Sequence, residues 1–401
     1  MVDLNSFIYK YVLGRSESMF RNDLDANSVA LNKGIKKKSV LVIGGAGSIG
    51  SSFIRAIVSY KPKELYVVDT NENALAELTR DLRSGAYYIP EIYRSYPMDY
   101  NSVTFRRMFR NHKGFDIVAN FSAHKHVRSE KDIYSIEALL RNNVINAKQL
   151  LDLLCEFPPE EYFCVSTDKA ANPVNIMGAS KRIMEDLIFS YSERFPVKTA
   201  RFANVAFSNG SLPAGFLERI AKLQPISAPK DVKRFFVSPE ESGQICLLSA
   251  ILGNNREIFY PKLGMAQMMT FDKIAEKLLE VQGYKVEYCD SDDDAIRKAY
   301  GLKLGKKEYP VHFSVSDTDG EKPYEEFFTE SERIDEKRFE SLGVIVGKDN
   351  PSMLRVCELI ERLENSFERD SVKKEDIISI MSDYLPDFKH IETGKSLDEK
   401  M

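Results

Sequence analysis

The stretch Ser39–Gly50, SVLVIGGAGSIG, decides the fold. Val40, Leu41, Val42 and Ile43 form a short, wholly apolar run, which reads as a strand buried on both faces, as in a parallel sheet. Gly44, Gly45, Gly47 and Gly50 follow, and then the helical stretch SSFIRAIVSY. Strand, glycine-rich turn and helix make the layout of a dinucleotide-binding unit. The glycines let the backbone turn tightly and approach a pyrophosphate, whose charge sits at the N-terminus of the next helix. Gly44, Gly47, Ser48, Ile49 and Gly50 are therefore candidate cofactor contacts. A second strand, ELYVVD, ends in Asp69, nineteen residues after Gly50, where an acid is suited to an adenosine ribose. A tight turn with no ligand is the alternative; strand, glycines, helix and acid standing in register argue against it.

Outward from this unit, strands and helices alternate. A capped helix, NENALAELTRDLRS, is followed by strands at Tyr93–Asp99, Asp116–Ser122, Glu161–Asp168 and Lys198–Val205. Between the later strands lie helices at Ile133–Phe157 and Met177–Phe195. The expectation is an α/β fold, a Rossmann-type doubly wound parallel sheet with a smaller, discontinuous C-terminal substrate-binding region. Asp99, at a strand end, suits an adenine amino group as well as it suits a plain helix cap. Ser122 and Ala123, at the end of the fourth strand, are further candidate cofactor contacts.

Four segments are expected. Residues 1–38 are a helical preface ending in Lys36, Lys37 and Lys38, a solvated lead-in rather than a phosphate patch. Residues 39–210 are the dinucleotide-binding domain. Residues 211–348 are a mixed substrate-binding region from which the chain can return to the sheet. Residues 349–401 are a helical, charged tail. The acidic run DSDDD at 290–294 opens a polar stretch to about Lys307, expected as a solvated insertion; it lacks the glycine and final glutamate of a calcium loop.

The 401 residues suffice for one large or two ordinary domains. A net charge of −4 gives no general attraction to nucleic acid or to membranes. The five scattered cysteines suit reduced thiols in the cytoplasm, with no metal-type spacing. No signal peptide and no apolar run of membrane-spanning length are visible.

Three constellations fall at strand ends. Ser166-Thr167-Asp168-Lys169 brings a hydroxyl, a carboxylate and an amine together beside an apolar strand, which would shift the ionisation of both charged groups. Met177-Gly178-Ala179-Ser180-Lys181 opens a helix. His124-Lys125-His126 follows the fourth strand, where His126 could carry a proton or simply pack. Two histidines at this spacing make a poor zinc set.

GGAGSIG, HKHV at 124–127, STDKAANPVNIMGASKR at 166–182 and RFANVAFSNGS at 201–211 resemble the extended short-chain dehydrogenases. More narrowly they resemble the bacterial UDP-N-acetylglucosamine 4,6-dehydratases of the polysaccharide-biosynthesis group. LGR at 13–15, KRFF at 233–236 and GEKPYEEFF at 320–328 extend the likeness to about residues 10–340. Short-chain dehydrogenases carry Tyr-x-x-x-Lys where this chain has Met177 and Lys181. Methionine carries no proton, and the resemblance is to a subtype with methionine at that position.

The resemblance implies a tightly held, recycled nicotinamide cofactor, NAD rather than NADP because Asp69 would repel a 2′-phosphate. It implies oxidation of the sugar at C4, loss of water across C5 and C6, and return of hydride to C6. By the same resemblance Thr167 bonds the 4-oxygen, and Asp168 protonates the leaving 6-hydroxyl and takes the 4-hydroxyl proton. Lys169, held neutral by desolvation, is the C5 base, and Lys181 grips the nicotinamide ribose. Lys125, His126, Asn143, Asn204, Ser211, Arg234 and Glu321 are the expected substrate contacts, Arg234 at the pyrophosphate.

Thr318-Asp319-Gly320-Glu321 stands where the family has Arg-Pro-Gly-Glu, His124 where it has tyrosine, and Ala206-Phe207 where it has Gly-Leu. These departures, with the insertion at about 285–315, leave the nucleotide (UDP or GDP) and the sugar open. Other readings are a nucleotide-sugar 4-epimerase or reductase, and a non-catalytic NAD-binding protein. A cytoplasmic homo-oligomer acting on a nucleotide sugar, without nucleic acid partners, is expected by analogy.

Overall fold

The computed structural model describes residues 3–316, 322, 324 and 326–391. A nine-stranded sheet forms the main body. Its first six strands in chain order are β1 Ser39–Ile43, β2 Glu64–Asp69, β3 Ile92–Pro97, β4 Ile117–Asn120, β5 Glu161–Val165 and β6 Val197–Ala200. Across the sheet they run β6-β5-β4-β1-β2-β3, all parallel. The direction of winding reverses between β1 and β4. A crevice opens there at the carboxyl ends of the strands, the place where such sheets bind ligands.

The chain does return to this sheet. Glu257–Pro261 pairs parallel with β6, and Leu342–Ile345 and Ile334–Asp335 close that edge antiparallel. The helices Ser48–Val58 and Pro239–Leu252 pack on each other, and both bury their apolar faces in the main core.

Several expected elements differ in detail. The third strand ends at Pro97, which has no N–H to continue a ladder, so Asp99 lies two residues past it. The sixth strand is shorter than Lys198–Val205. It ends at Ala200, although the Arg201 N–H still donates to the Phe259 carbonyl at 2.8 Å, and Asn204–Val205 pairs instead with Phe236–Val237. The long helix after Ile133 is interrupted by a π-turn at Arg141–Ile145.

A second, smaller core surrounds a three-stranded parallel sheet of Lys285–Tyr288, Glu308–Ser314 and Ile226–Pro229. The stretch expected as a solvated insertion belongs to it. Ser291 caps the helix Asp292–Ala299, Ala295 is buried, and Ala299 and Leu302 join this core. Asp292 is held by His312 Nδ1 at 2.6 Å and Ser227 Oγ at 3.1 Å.

The preface joins the two cores: Phe7, Ile8 and Val12 enter the smaller, and Phe20, Leu31 and Ile35 the larger. Between them Arg15 makes a two-point bond to Glu241, at 2.8 and 2.6 Å. Nor is the segment after 349 merely a charged tail. The Met353–Phe367 helix buries Val356, Leu359, Ile360 and Leu363 and packs on the helix Ile176–Ser190.

Candidate functional site

At the crevice, β1 runs into Gly44, whose φ is +70°; a Cβ there would stand 2.7 Å from the Ser122 nitrogen. A Cβ on Gly50 would stand 2.3 Å from the Gly44 carbonyl oxygen. The turn closes onto itself and onto β4 only because both residues lack side chains. Gly47 is the N-cap of the helix whose first residues are Ser48 and Ile49, both half-buried. Asp69, at the end of β2, accepts from the Ala46 N–H at 3.0 Å and the Asn71 N–H at 2.9 Å. It braces the turn and still presents a carboxylate beside it. Asp99 is exposed, its Oδ1 taking the Asn101 N–H at 2.7 Å, so a local turn occupies one oxygen. Ser122 donates to Asn142 Oδ1 at 3.2 Å, and Ala123 follows it along the wall of the crevice.

The chemical end lies one strand over. After β5, Ser166 donates to Glu185 at 2.7 Å and Thr167 opens the short turn Asp168–Ala170. Asp168 is buried. Its Oδ1 accepts from Thr167 Oγ1 at 2.8 Å, the Lys169 N–H at 2.9 Å and Lys169 Nζ at 3.1 Å. Lys169 Nζ and the Asp168 carboxylate thus form an ion pair beside the Thr167 hydroxyl.

The Ile176–Ser190 helix begins against this turn. Asn175 caps it through the Gly178 N–H at 2.7 Å, and Glu130 accepts the Met177 N–H at 2.9 Å. A Cβ on Gly178 would lie 2.7 Å from the Lys169 carbonyl, so glycine is what permits this contact. The Met177 side chain is buried in the main core. One turn on, Lys181 is 3% exposed and donates to the Val165 carbonyl at 3.1 Å. Burial lowers its pKa to about 8.

Three loops meet at the mouth. The Asn209 N–H donates to Ser48 Oγ at 2.9 Å, and Lys125 Nζ donates to the Asn209 carbonyl at 3.1 Å. His126 Nε2 comes within 3.0 Å of where a Cβ on Gly210 would stand. Ser211 serves as N-cap of the Leu212–Ala221 helix, accepting from Ala214 N–H at 3.4 Å. Asn204 lies on a short strand paired with Phe236–Val237, and Arg234 on another paired with Met269–Thr270. Asn204 donates to the Phe235 carbonyl, and the buried Arg234 guanidinium to those of Lys233 and Lys322. Glu321, with Thr318, Asp319 and Gly320, lies outside the described residues.

Asn143 stands beside the His124 loop. It is 2% exposed and sits in the π-turn. Its amide bonds the His124 N–H and carbonyl at 2.9 Å each, and Ser180 Oγ at 3.1 Å. These bonds tie Asn143 to the loop that leads into Lys125.

Sequence reasoning missed a buried ionic group beneath the site. Arg201 is fully buried between Glu185, at 2.9 and 2.8 Å, and Glu332, at 2.7 and 2.9 Å. Burial alone would raise the Glu332 pKa, but the Arg201 guanidinium holds it down at about 2. The available signal was charge inside apolar stretches: Glu185 one turn beyond Lys181, and Arg201 at a strand end.

Fold and site together define an extended short-chain dehydrogenase, a dinucleotide-type sheet followed by a smaller lobe. Residues 40–346 match the family described as polysaccharide biosynthesis protein, and the chain belongs to that family. An uncharacterized membrane protein of Methanocaldococcus jannaschii is 32% identical over 67% of this chain and 79% of its own length. The probable polysaccharide biosynthesis protein EpsC of Bacillus subtilis is 28% identical over 84% of this chain, which spans about half (53%) of that relative. A UDP-N-acetylglucosamine 4,6-dehydratase (inverting) of Campylobacter jejuni is 26% identical over 74% of this chain and 84% of its own. UDP-glucose 4-epimerases of Rickettsia match at 27% over 70%. Among solved structures, Pen from Bacillus thuringiensis shares the fold at a TM-score of 0.63, with 23% identity over 78% of this chain and 88% of that one. Among the described residues, no helix is long and apolar enough to cross a membrane.

Proposed function

We propose that the chain is an NAD-dependent nucleotide-sugar 4,6-dehydratase acting on a UDP-linked N-acetylhexosamine. One observation carries the reading. Thr167, Asp168 and Lys169 form a single hydrogen-bonded cluster at the crevice, while the helix position that would supply a phenol holds a buried methionine. A 4-epimerase must move one hydroxyl proton; a dehydratase must also remove a C5 proton and protonate a leaving hydroxyl. Two adjacent ionisable groups suit the longer task. The Campylobacter relative's name supports the same reaction and substrate.

The turn suits a dinucleotide: Gly44 and Gly50 let it close tightly on backbone, and the Ser48–Val58 helix begins directly after it, where its first N–H groups favour a phosphate. Asp69 would meet the adenosine ribose and disfavour a 2′-phosphate. When bound, the nicotinamide supplies reversible oxidation at C4 and reduction at C6. The protein's own groups handle the protons. The Thr167 hydroxyl orients the 4-oxygen, and Asp168 accepts the 4-hydroxyl proton and passes a proton to the departing 6-oxygen. Lys169, acting in its neutral form, takes the C5 proton that the 4-ketone has acidified and gives a proton back to C5 when C6 is reduced. Lys181 lies deeper and holds the ribose.

The test is incubation with UDP-N-acetylglucosamine, and in parallel with its GDP analogue, followed by mass spectrometry. A product lighter by one water from either supports the dehydratase and names the nucleotide. Unchanged mass with altered proton spectra would favour the epimerase reading, for which the Rickettsia relatives speak. Bound NAD with neither change would overturn both.

A further inference from the structure

The segment after the last helix, Lys374–Tyr384, turns back to the chemical end of the crevice. Phe388 is buried in the main core. His390 is nearly buried, and its Nε2 lies 3.2 Å from Glu130 Oε2. The other oxygen of Glu130 accepts the Met177 N–H at 2.9 Å, one of the otherwise unpaired donors at the start of the Ile176–Ser190 helix. The next residue, Ile391, donates its N–H to the Val174 carbonyl at 2.9 Å. Two adjacent tail residues thus grip the stretch between Lys169 and Met177 at two points. This segment lies beyond residue 346, where the family match ends.

We propose that the 385–391 segment is a working part of the site, and that His390 is a positioning residue acting through Glu130. The imidazole orients the Glu130 carboxylate, the carboxylate fixes the first turn of the helix, and that turn seats Gly178 against the Lys169 carbonyl. Lys181 follows one turn later, so the alignment of Asp168–Lys169 with Lys181 depends on the tail. A helix start can be capped by local residues, as Asn175 already does. The additional cap from Glu130, backed by a histidine 260 residues away, couples chain-terminal docking to the catalytic turn.

The test uses the full chain with His390→Ala, His390→Gln and Ile391→Pro. Glutamine keeps an N–H donor for Glu130; proline removes the donor to Val174. Amide hydrogen exchange is read across 171–178, with 40–50 as the internal control. Exchange at 171–178 should quicken by about tenfold or more in His390→Ala and Ile391→Pro, stay within about twofold in His390→Gln, and remain unchanged at 40–50. Where UDP-N-acetylglucosamine is turned over, kcat should fall about tenfold in His390→Ala with KM nearly constant, and recover in His390→Gln. This kinetic arm rests on the dehydratase reading; the exchange arm does not, so absence of turnover in the parent would sink that reading alone. Exchange at 171–178 that stays at the parent rate in both disrupting variants, or that rises equally at 40–50, would overturn the proposal.

Discussion

Replacing Lys181 by methionine isolates what it costs to hold an amine at the chemical end. The side chain is 3% exposed, and its nearest polar partner is one carbonyl, Val165 O at 3.1 Å. Its pKa is about 8 in the fold against 10.5 when exposed. Below pH 8 both folded and unfolded chains carry the proton, and the fold bears the whole penalty, about 3 kcal/mol. Between 8 and 10.5 the unfolded chain holds the proton and the folded one has released it, so stability rises with pH. Above 10.5 the penalty is gone. Methionine has similar length and no charge, but leaves the Val165 carbonyl without its donor, a loss of about 1 kcal/mol. Lys181→Met should therefore be more stable than the parent by about 2 kcal/mol at pH 7 and slightly less stable above pH 10.5. Urea unfolding of both proteins at intervals from pH 7 to 10.5 gives the difference directly, because the other titrating groups are common to both. A difference that does not change with pH, or a parent that is more stable at pH 7, would refute the argument that burial sets this amine's ionisation. On the proposed function the same variant binds dinucleotide weakly and turns over poorly, so stability gained at this position is activity lost.

Gly50→Ala sets a methyl group 2.3 Å from a backbone oxygen that cannot move aside. It should cost about 1–3 kcal/mol of stability and abolish dinucleotide retention, checked by unfolding and by bound-nucleotide absorbance. Arg201→Met takes from the buried Glu185 and Glu332 the cation that bonds both at two points and leaves them only Arg182 and Lys348, an expected loss of about 3 kcal/mol in chemical denaturation. With Glu332 near 2 in the parent, its contribution is complete above the ordinary value of 4.5 and disappears as pH falls toward 2. The variant, in which only Lys348 and Arg182 still face Glu332, should show a weaker acid-side decline. Asp168→Asn keeps an acceptor for the Lys169 N–H, so its unfolding midpoint should hardly move while turnover falls by about 100-fold or more.

What the sequence made legible is what local chemistry decides. Gly44 and Gly50 could be read because a tight strand-to-helix turn has no room for a Cβ, wherever in a chain it occurs. Thr167, Asp168 and Lys169 could be read because neighbours in sequence at a strand end are neighbours in space. The surroundings of Asn143 could not be read for the opposite reason. Its partners, the His124 backbone and Ser180, come from two other elements, and the π-turn that aims it inward leaves no mark in apolar spacing. The 290–307 stretch misled through composition, since the aspartates at its start hide Ala299 and Leu302, apolar residues that join the second core. The Arg201 group and the His390–Glu130 contact are longer-range still, each joining parts of the chain more than a hundred residues apart. These unread features share a position: all but the 290–307 stretch stand behind the residues that would touch substrate and fix their backbones. A motif therefore locates the groups that react, while the accuracy with which they are held is set by contacts that become visible only when the chain is folded.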